Sequence, residues 1–324
     1  MKKQRKLKPT FARRVMGLVC LCLGLVLAVM IPVTAWFQHQ INQGRMQPEE
    51  ALPTLQRFVA DNLSAAEKKP VGNKNVTNIL LIGQDRVEGE GRARSDSMIL
   101  CTFNKKTKQL TMTSFLRDLY VNVPGFGSNR INAAYTYGGM ELLDRTLKDN
   151  FGIAVDANVE VDFTQFADIV DLLGGVEIEL REDEARVIRE DTGTEVSEGR
   201  QTLNGMQALT YSRIRKLDPD GDFARTNRQR KVMSAILDTY KSADMKTILS
   251  LADDLLPLVN TDMNPMEMVK YAVELFPILS DAEIISQRIP ADGTYENQKI
   301  NGMSVLVADM EAARELLRGT VAGE

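Results

Sequence analysis

Arginines and aspartates occur together at three places in this chain, and the chemistry of its folded part depends on them. Two of the places are Arg94-Ser-Asp96 and Arg117-Asp118, and the third is the stretch from residue 211 to residue 230. The single histidine, His39, lies apart from all three. Planar guanidinium groups pair with phosphate oxygens, and carboxylates hold hard divalent cations. The clusters therefore predict a site for a di- or polyphosphate substrate.

Residues 221–230 predict the opening turns of a helix that carries cations on one face. With Asp222 as the N-cap, Arg225, Arg228 and Gln229 fall on the same side of the helix. Positive charge near a helix N-terminus opposes the helix dipole, and a bound phosphate would remove that conflict. The alternative is a solvated basic face that holds no ligand.

Arg213 and Arg215 stand two positions apart in the segment Tyr-Ser-Arg-Ile-Arg that ends at Arg215. On an extended backbone, side chains two positions apart point the same way. The two guanidinium groups are then placed to hold one phosphate group as a pair, although an Arg-x-Arg motif taken alone is a weak signal.

Two aspartates are placed where a metal ion would be expected. Asp85 follows an apolar run and a glycine, and Asp96 immediately precedes a second apolar run. Carboxylates at strand ends in α/β domains face the ligand crevice, where two of them are able to share Mg²⁺ or Mn²⁺ with substrate phosphate oxygens. The alternative is that each aspartate only caps a loop. Arg117 ends a third apolar run and reaches the same crevice, and Arg94 is a further candidate phosphate ligand.

The elements that must position these residues alternate between strand and helix patterns. Short apolar runs predict strands at 78–83, 97–103 and 110–114, and alternation predicts another at 176–180. Helical patterns occupy residues 140–150, 163–173, 203–211 and 223–240. The mixture predicts an α/β fold for residues 75–324, a single extracytoplasmic domain with a central mixed β-sheet between helical layers.

A membrane anchor is predicted before this domain. Residues 1–14 form a basic tail, and the 23 residues of 15–37 carry no charge, which is long enough to span a bilayer. We therefore expect a single-pass bacterial cell-membrane protein with a cytoplasmic N-terminus, a transmembrane helix, and residues 38–74 as a stalk or juxtamembrane linker. The alternative is a signal peptide cleaved after the triplet Val33-Thr-Ala35, although the apolar run is longer than a signal peptide requires.

Charge and cysteine content exclude several classes of function. The chain has 40 lysines and arginines against 44 acids, and the basic tail holds seven of the former, so the exported part is acidic. An acidic surface makes nucleic acid an unsuitable partner. Cys20 and Cys22 lie in the predicted anchor and Cys101 stands alone in an apolar run, so neither a disulfide framework nor a zinc site is expected.

Nine segments, taken together and in order, resemble the LytR-CpsA-Psr family over about residues 75 to 318. They are Asn-Ile-Leu-Leu-Ile-Gly-Gln-Asp85, Arg94-Ser-Asp-Ser-Met98, Ser114-Phe-Leu-Arg-Asp118, Asn129-Arg-Ile-Asn-Ala-Ala-Tyr135, Tyr-Gly-Gly139, Val-Asp-Phe163, Leu-Gly-Gly-Val-Glu177, Leu-Asn-Gly-Met-Gln-Ala-Leu209 and Gly-Asp-Phe-Ala-Arg-Thr-Asn-Arg-Gln229. The resemblance implies an envelope phosphotransferase. Such an enzyme moves wall teichoic acid, capsular polysaccharide or a related glycopolymer from undecaprenyl pyrophosphate to a peptidoglycan sugar hydroxyl, leaving a phosphodiester.

The resemblance also implies roles for individual residues. The metal ligands of the family fall on Asp85 and Asp96, with Mg²⁺ or Mn²⁺ as the ion. Asp85, Asp96, Arg117 and Arg215 are the expected catalytic residues. The pyrophosphate ligands implied by the family motifs are Arg117, Arg130, Arg213, Arg215, Arg225 and Gln229, to which Arg94 and Arg228 are added from their positions in the clusters.

The chain departs from the family pattern at a few positions and leaves two other functions open. Leu116 stands where the family usually has proline, Gln84 where it has threonine, and Lys216 follows the Arg-x-Arg pair. A non-catalytic polyprenyl-phosphate-binding regulator would need the same arginines, and a pyrophosphate hydrolase would use water in place of the sugar hydroxyl. The apolar stripe of the helix predicted at 163–173 is either ordinary core or one wall of a lipid tunnel.

Overall fold

A computed structural model describes residues 75–84, 95–218, 221–241, 258–264 and 283–321, with residues 267, 270, 271, 274 and 275. The predicted tail, anchor and stalk lie outside the described residues, as do the candidate site residues Asp85 and Arg94. No helix among the described residues has the length and apolar character needed to cross a bilayer. The described residues belong to two compact units. The helical unit includes Thr164–Leu258, and the sheet unit includes the residues up to Phe163 and Val259–Glu324.

Twelve strands and six helices are described. The strands are β1 Val76–Gln84, β2 Ser95–Asn104, β3 Gln109–Phe115, β4 Tyr120–Val123, β5 Gly127–Arg130, β6 Ala157–Asp162, β7 Val176–Leu180, β8 Gly199–Leu203, β9 Asn260–Thr261, β10 Glu283–Ile289, β11 Tyr295–Ile300 and β12 Met303–Ala308. The helices are α1 Ile131–Phe151, α2 Phe163–Leu172, α3 Glu182–Thr192, α4 Gly205–Arg213, α5 Asp222–Lys241 and α6 Met310–Val321.

The sheet unit is built on a six-stranded sheet in the order β10-β3-β2-β1-β6-β9. β1 pairs with β6 and β3 with β10 in parallel, whereas β1 with β2, β2 with β3, and β6 with β9 are antiparallel. The predicted mixed α/β fold with a central mixed sheet is therefore confirmed. The strands predicted at 78–83, 97–103 and 110–114 lie within β1, β2 and β3.

One edge of this sheet gathers the strand ends that the sequence analysis singled out. Gln84, the last residue of β1, lies opposite Ser95 at the start of β2 and opposite Asp162 at the end of β6. A register shift occurs between Gly83 and Gln84 at the same point. Asp96 is the second residue of β2, so its carboxylate belongs to this edge.

One face of the sheet packs against α1 and α6. The apolar residues on this face occupy every second position of each strand, because successive side chains of a strand point to opposite faces. Leu80 and Leu100 are fully buried there with Leu143 and Leu147 of α1 and Leu317 of α6. This core packs the central strands against α1 and α6.

Helix α1 begins earlier than predicted and contains a kink. The predicted helix at 140–150 is its second part, and Gly152, in the left-handed region with φ 75°, ends it. The first part starts at Ile131, and the non-helical Gly138 and Gly139 separate it from the second part. The paired glycines broke the helical pattern, and the segment before them was therefore not predicted as helix.

The helical unit combines α2 to α5 with a hairpin of β7 and β8. The strand predicted at 176–180 is confirmed, and it pairs with β8. The three helices predicted in this part of the chain are confirmed with shifts of one or two residues at their ends. Helix α3 was missed, although acids in its first turn and Gly193 at its C-cap are the usual signals of helix ends.

Candidate functional site

Four alternating charges form a chain of ion pairs beside the sheet edge. Arg117 Nη1 donates a hydrogen bond to Asp96 Oδ1 at 2.8 Å, and its Nε lies 3.6 Å from Asp118 Oδ2. Asp118 Oδ1 in turn lies 3.2 Å from Nε of Arg130. We call these four residues the ion-pair array. Their side chains are 22% to 24% exposed, so they are partly accessible to solvent.

The array is positioned by a turn between β3 and β4 that is anchored on both sides. Leu116 and Leu119, which flank Arg117 and Asp118, are almost completely buried. Leu119 N donates to Leu116 O at 3.0 Å, and Ile131 N donates to Leu119 O at 2.8 Å. Two buried leucines fix the backbone, so the charged residues between them are held at the surface.

Leu116 explains how this turn is maintained without the proline that the family resemblance leads one to expect. Its backbone N–H donates to Ile289 O of β10 at 3.0 Å. Proline has no N–H and would not form this bond. A hydrogen bond from Leu116 therefore holds the turn where proline would restrict the backbone, and Arg117 keeps a defined position.

Arg130 occupies the junction between β5 and α1, where it is the N-cap residue of the helix. Its Nε also donates to the backbone oxygen of Ser304 at 2.9 Å. Asp118 and the backbone of Ser304 thus both contact the guanidinium. The structure brings together Asp96, Arg117 and Arg130 from the predicted site, and it adds Asp118 to them.

A second, buried group of polar side chains lies at the same edge. Gln84 Nε2 donates to Glu160 Oε1 at 2.5 Å, and the hydroxyl of Tyr135 donates to the other oxygen of Glu160. All three residues are less than a tenth exposed. The sequence analysis missed Glu160, although an acid between the two valines Val159 and Val161 of β6 was a signal. These bonds tie the end of β1 to β6 and α1.

The donor set for the predicted divalent ion is described only in part. Asp96 contributes carboxylate oxygens, and Asp85 follows Gln84 outside the described residues. Among the residues that the structure describes, no three His, Cys, Asp or Glu side chains are grouped to hold a metal. The pairing of Gln84 with Ser95 nevertheless brings the start of β2 beside the end of β1, and carboxylate oxygens suit Mg²⁺ or Mn²⁺. The carboxylate of Asp96 suits such an ion by donor type, and the metal site stays a prediction.

In the helical unit, Asp222 lies close to two of the predicted phosphate ligands. Its Oδ1 is 3.3 Å from Arg215 Nε and 3.6 Å from Nη1 of the buried Arg225. Asp222 is not the N-cap of α5, because Arg225 N donates to Gly221 O at 3.1 Å and the helix begins after Gly221. Its carboxylate lies in the first helical turn, where negative charge is favourable to the helix dipole.

Arg228 is held by a buried network of its own. Its Nε donates to Glu184 Oε1 at 2.8 Å, its Nη1 donates to the backbone oxygen of Ile214 at 3.1 Å, and its Nη2 pairs with Asp218. The hydrogen bond from Arg228 lowers the pKa of Asp218, against the opposing effect of burial. Burial also raises the pKa of Tyr211, whose ring lies beneath the guanidinium.

These carboxylates change the argument made from the helix dipole. Asp222, Asp218 and Glu184 supply negative charge beside the arginines of α5, so the dipole alone does not require a bound anion. The assignment of Arg228 to pyrophosphate stays a prediction, as do those of Arg213, which is exposed at the end of α4, and the half-buried Gln229.

We expect the replacement of Glu184 by alanine to lower the free energy of unfolding by about 3 kcal/mol, because it removes a partner from a buried arginine. Asp218 still pairs with Arg228 and limits the loss. Urea unfolding of the folded protein measures the change. As a control, Glu177→Ala removes an exposed pair with Arg200 and should cost at most about 1 kcal/mol. Equal losses for the two variants would contradict the role given to burial.

The model of the LytR_cpsA_psr family matches residues 49–320, which includes part of the segment predicted as a stalk. The polyisoprenyl-teichoic acid–peptidoglycan teichoic acid transferase TagT of Bacillus subtilis is 36% identical over 219 residues, 65% of this chain and 66% of TagT. The regulatory protein MsrR of Staphylococcus aureus is 34% identical over 237 residues, 72% of this chain and 70% of MsrR.

A solved structure is similar over most of the fold. It is that of TagT with bound octaprenyl pyrophosphate lipid, which is 28% identical and superposes with a TM-score of 0.61. The match covers 79% of this chain and 95% of that one. By its sequence and by its mixed α/β architecture, the chain belongs to the LytR-CpsA-Psr family.

Proposed function

We propose that this protein transfers a glycopolymer from an undecaprenyl-pyrophosphate carrier to a sugar hydroxyl of peptidoglycan, forming a phosphodiester during cell-wall assembly. The observation that carries the proposal is the ion-pair array, which holds two guanidinium groups beside carboxylates at an accessible sheet edge. Such a surface suits a pyrophosphate, and the related TagT binds octaprenyl pyrophosphate. Wall teichoic acid and capsular polysaccharide are the polymers we would test first.

The transfer exchanges one phosphorus–oxygen bond for another. The acceptor hydroxyl oxygen bonds to the sugar-linked phosphorus, the bond from that phosphorus to the bridging oxygen breaks, and undecaprenyl phosphate leaves with the electron pair. The hydroxyl proton passes to a base, for which Asp85 and Asp96 are the candidates. Phosphoryl transfer depends mainly on positioning and charge stabilisation, which Arg117 and Arg130 supply from fixed backbone positions.

The remaining site assignments extend this proposal through the family motifs. In the helical unit, Arg213, Arg215, Arg225, Arg228 and Gln229 are proposed as phosphate ligands, and Arg94 is added from its place beside Asp96. Asp85 and Asp96 would hold Mg²⁺ or Mn²⁺, which when bound supplies positive charge against the pyrophosphate. We place the protein in the bacterial cell membrane, anchored by residues 15–37 with the catalytic domain outside.

A regulatory role is the second candidate, because the relative MsrR is named a regulatory protein. Product analysis separates the possibilities. Full-length protein is incubated with lipid-linked glycopolymer, Mg²⁺ and soluble peptidoglycan strands. A phosphodiester-linked conjugate supports transfer, whereas free phosphorylated glycopolymer indicates hydrolysis. Binding of the lipid without turnover indicates a regulator.

Arg215→Lys is expected to reduce the transfer rate at least about tenfold, because a point-like ammonium does not reproduce a two-pronged contact with phosphate. Arg215 is partly exposed, so the substitution should leave the fold intact. The matched control is Arg200→Lys, at an exposed position paired with Glu177. Wild-type rates for Arg215→Lys would mean that this residue belongs only to a general basic surface.

A further inference from the structure

An exposed pair of stacked aromatic rings lies beside the ion-pair array. Phe126 and Tyr137 have ring centroids 4.7 Å apart and an interplanar angle of 22°. Each ring covers one face of the other, yet Phe126 is 57% and Tyr137 45% exposed. Large apolar side chains are usually buried, because their exposure to water is unfavourable. Two exposed rings packed on each other form a flat apolar surface, which is typical of an interaction site. We call these two residues the aromatic pair.

The backbone on both sides of the pair is shaped to present it. Phe126 stands between Gly125 and Gly127, with φ of 83° and 75°, in a tight turn where Phe126 N donates to Val123 O. Tyr137 is the last residue of α1 before the kink. A Cβ atom at the following Gly138 would lie 2.5 Å from Leu142 Cβ, so the kink requires glycine there.

A hydrogen-bonded asparagine joins the aromatic pair to the ion-pair array. Asn129 Nδ2 donates to the hydroxyl of Tyr137 at 3.1 Å, and Asn129 Oδ1 accepts from the backbone N–H of Arg130 at 2.8 Å. Asn122 and Asn150, near the base of the same turn, bond to each other through backbone and side-chain atoms. One residue therefore links the aromatic pair to an arginine of the array.

We propose that the aromatic pair is the subsite for a pyranose ring of the acceptor glycan, an inference that rests on the proposed transfer to peptidoglycan. A pyranose presents a face of C–H groups that packs on an aromatic ring and a rim of hydroxyls that bonds to amides such as Asn129. A teichoic acid chain is a polyanion and calls for a cation in direct contact, whereas the hydrogen bond to the pair itself comes from the neutral amide of Asn129. The exposed position also suits a polymeric acceptor that arrives from solvent.

The first experiment is steady-state kinetics of the full-length protein, with the concentrations of soluble peptidoglycan strands and of lipid-linked glycopolymer varied separately. Phe126→Ala is expected to raise the KM for peptidoglycan about tenfold, with kcat and the KM for the lipid donor unchanged. Tyr137→Phe keeps the ring and should change the acceptor KM less than Tyr137→Ala. Met206→Ala, at another exposed apolar position in the helical unit, is the control and should behave as wild type.

A rise in the donor KM alone would place the donor sugar on the pair and overturn the proposal, as would an unchanged acceptor KM in Phe126→Ala. Binding measured by saturation-transfer NMR with the same peptidoglycan strands separates this inference from the proposed function. If wild-type protein binds the strands, Phe126→Ala does not, and neither transfers glycopolymer, the subsite stands and the transferase proposal fails. If wild-type protein transfers and both bind equally, the transferase stands and the subsite fails.

Discussion

Asp96→Ala is expected to reduce the rate of glycopolymer transfer at least about a thousandfold, because the carboxylate has two roles. It is a proposed ligand of the divalent ion, and charge stabilisation of that kind contributes several kcal/mol to phosphoryl transfer. It also accepts the 2.8 Å hydrogen bond that orients Arg117. The rate is measured with purified full-length protein over a range of Mg²⁺ concentrations, and circular dichroism confirms that the variant is folded.

Asp96→Asn separates the two roles. The asparagine oxygen still accepts from Arg117 but lacks the charge that a metal ligand needs, so this variant should be nearly as inactive as Asp96→Ala. Nearly wild-type turnover of Asp96→Asn would show that Asp96 only positions Arg117. The matched control is Asp149→Ala, which removes an exposed carboxylate paired with Arg145 on α1 and should not alter the rate.

An ectodomain beginning near Asn75 is expected to bind a long-chain polyprenyl pyrophosphate at least about a thousandfold more tightly than a short-chain diphosphate. Each buried methylene contributes about 0.8 kcal/mol, whereas the headgroup contacts are common to both ligands. Helix α2 is the candidate wall for the chain. Ile169 and Val170 on its apolar stripe are buried, and Phe163 and Phe166 are only half-buried.

Isothermal titration calorimetry with diphosphates of increasing chain length measures the affinity for each ligand and checks this prediction. A Phe166→Ala variant should lose affinity for the long chain and keep its affinity for the short one, since only the former would contact the helix. Met206→Ala again serves as the control for loss of an exposed apolar side chain. Affinity that does not depend on chain length would leave a headgroup site and reject an internal lipid tunnel.

The central strands could be predicted because their patterns are local. β1, β2 and β3 are short apolar runs with polar turns, and burial on both faces requires such runs whatever the remainder of the chain does. The start of α1 could not be found in this way. Its first part carries buried Asn132 and ends at two glycines, so neither periodicity nor composition marked it as helix.

At the candidate site, the residues themselves were easier to predict than the side chains with which they form ion pairs. Asp96, Arg117 and Arg130 were identified from charge, from strand ends and from the family resemblance, and the structure brings them together. The pairing of Arg228 with Glu184 was not predicted, because the two residues are 44 positions apart and belong to different helices. Spacing along α5 showed that Arg228 shares a face with Arg225 but gave no information about which carboxylates lie opposite.

The alternation of charge in the ion-pair array has a consequence for selectivity. Each guanidinium already faces a carboxylate, so an incoming phosphate competes with an internal anion of similar geometry. Under the proposed function, a single phosphate would replace only one of these contacts, whereas a diphosphate would replace contacts on both Arg117 and Arg130. Exchange of this kind would favour a diphosphate over inorganic phosphate through the number of ion pairs that each ligand replaces.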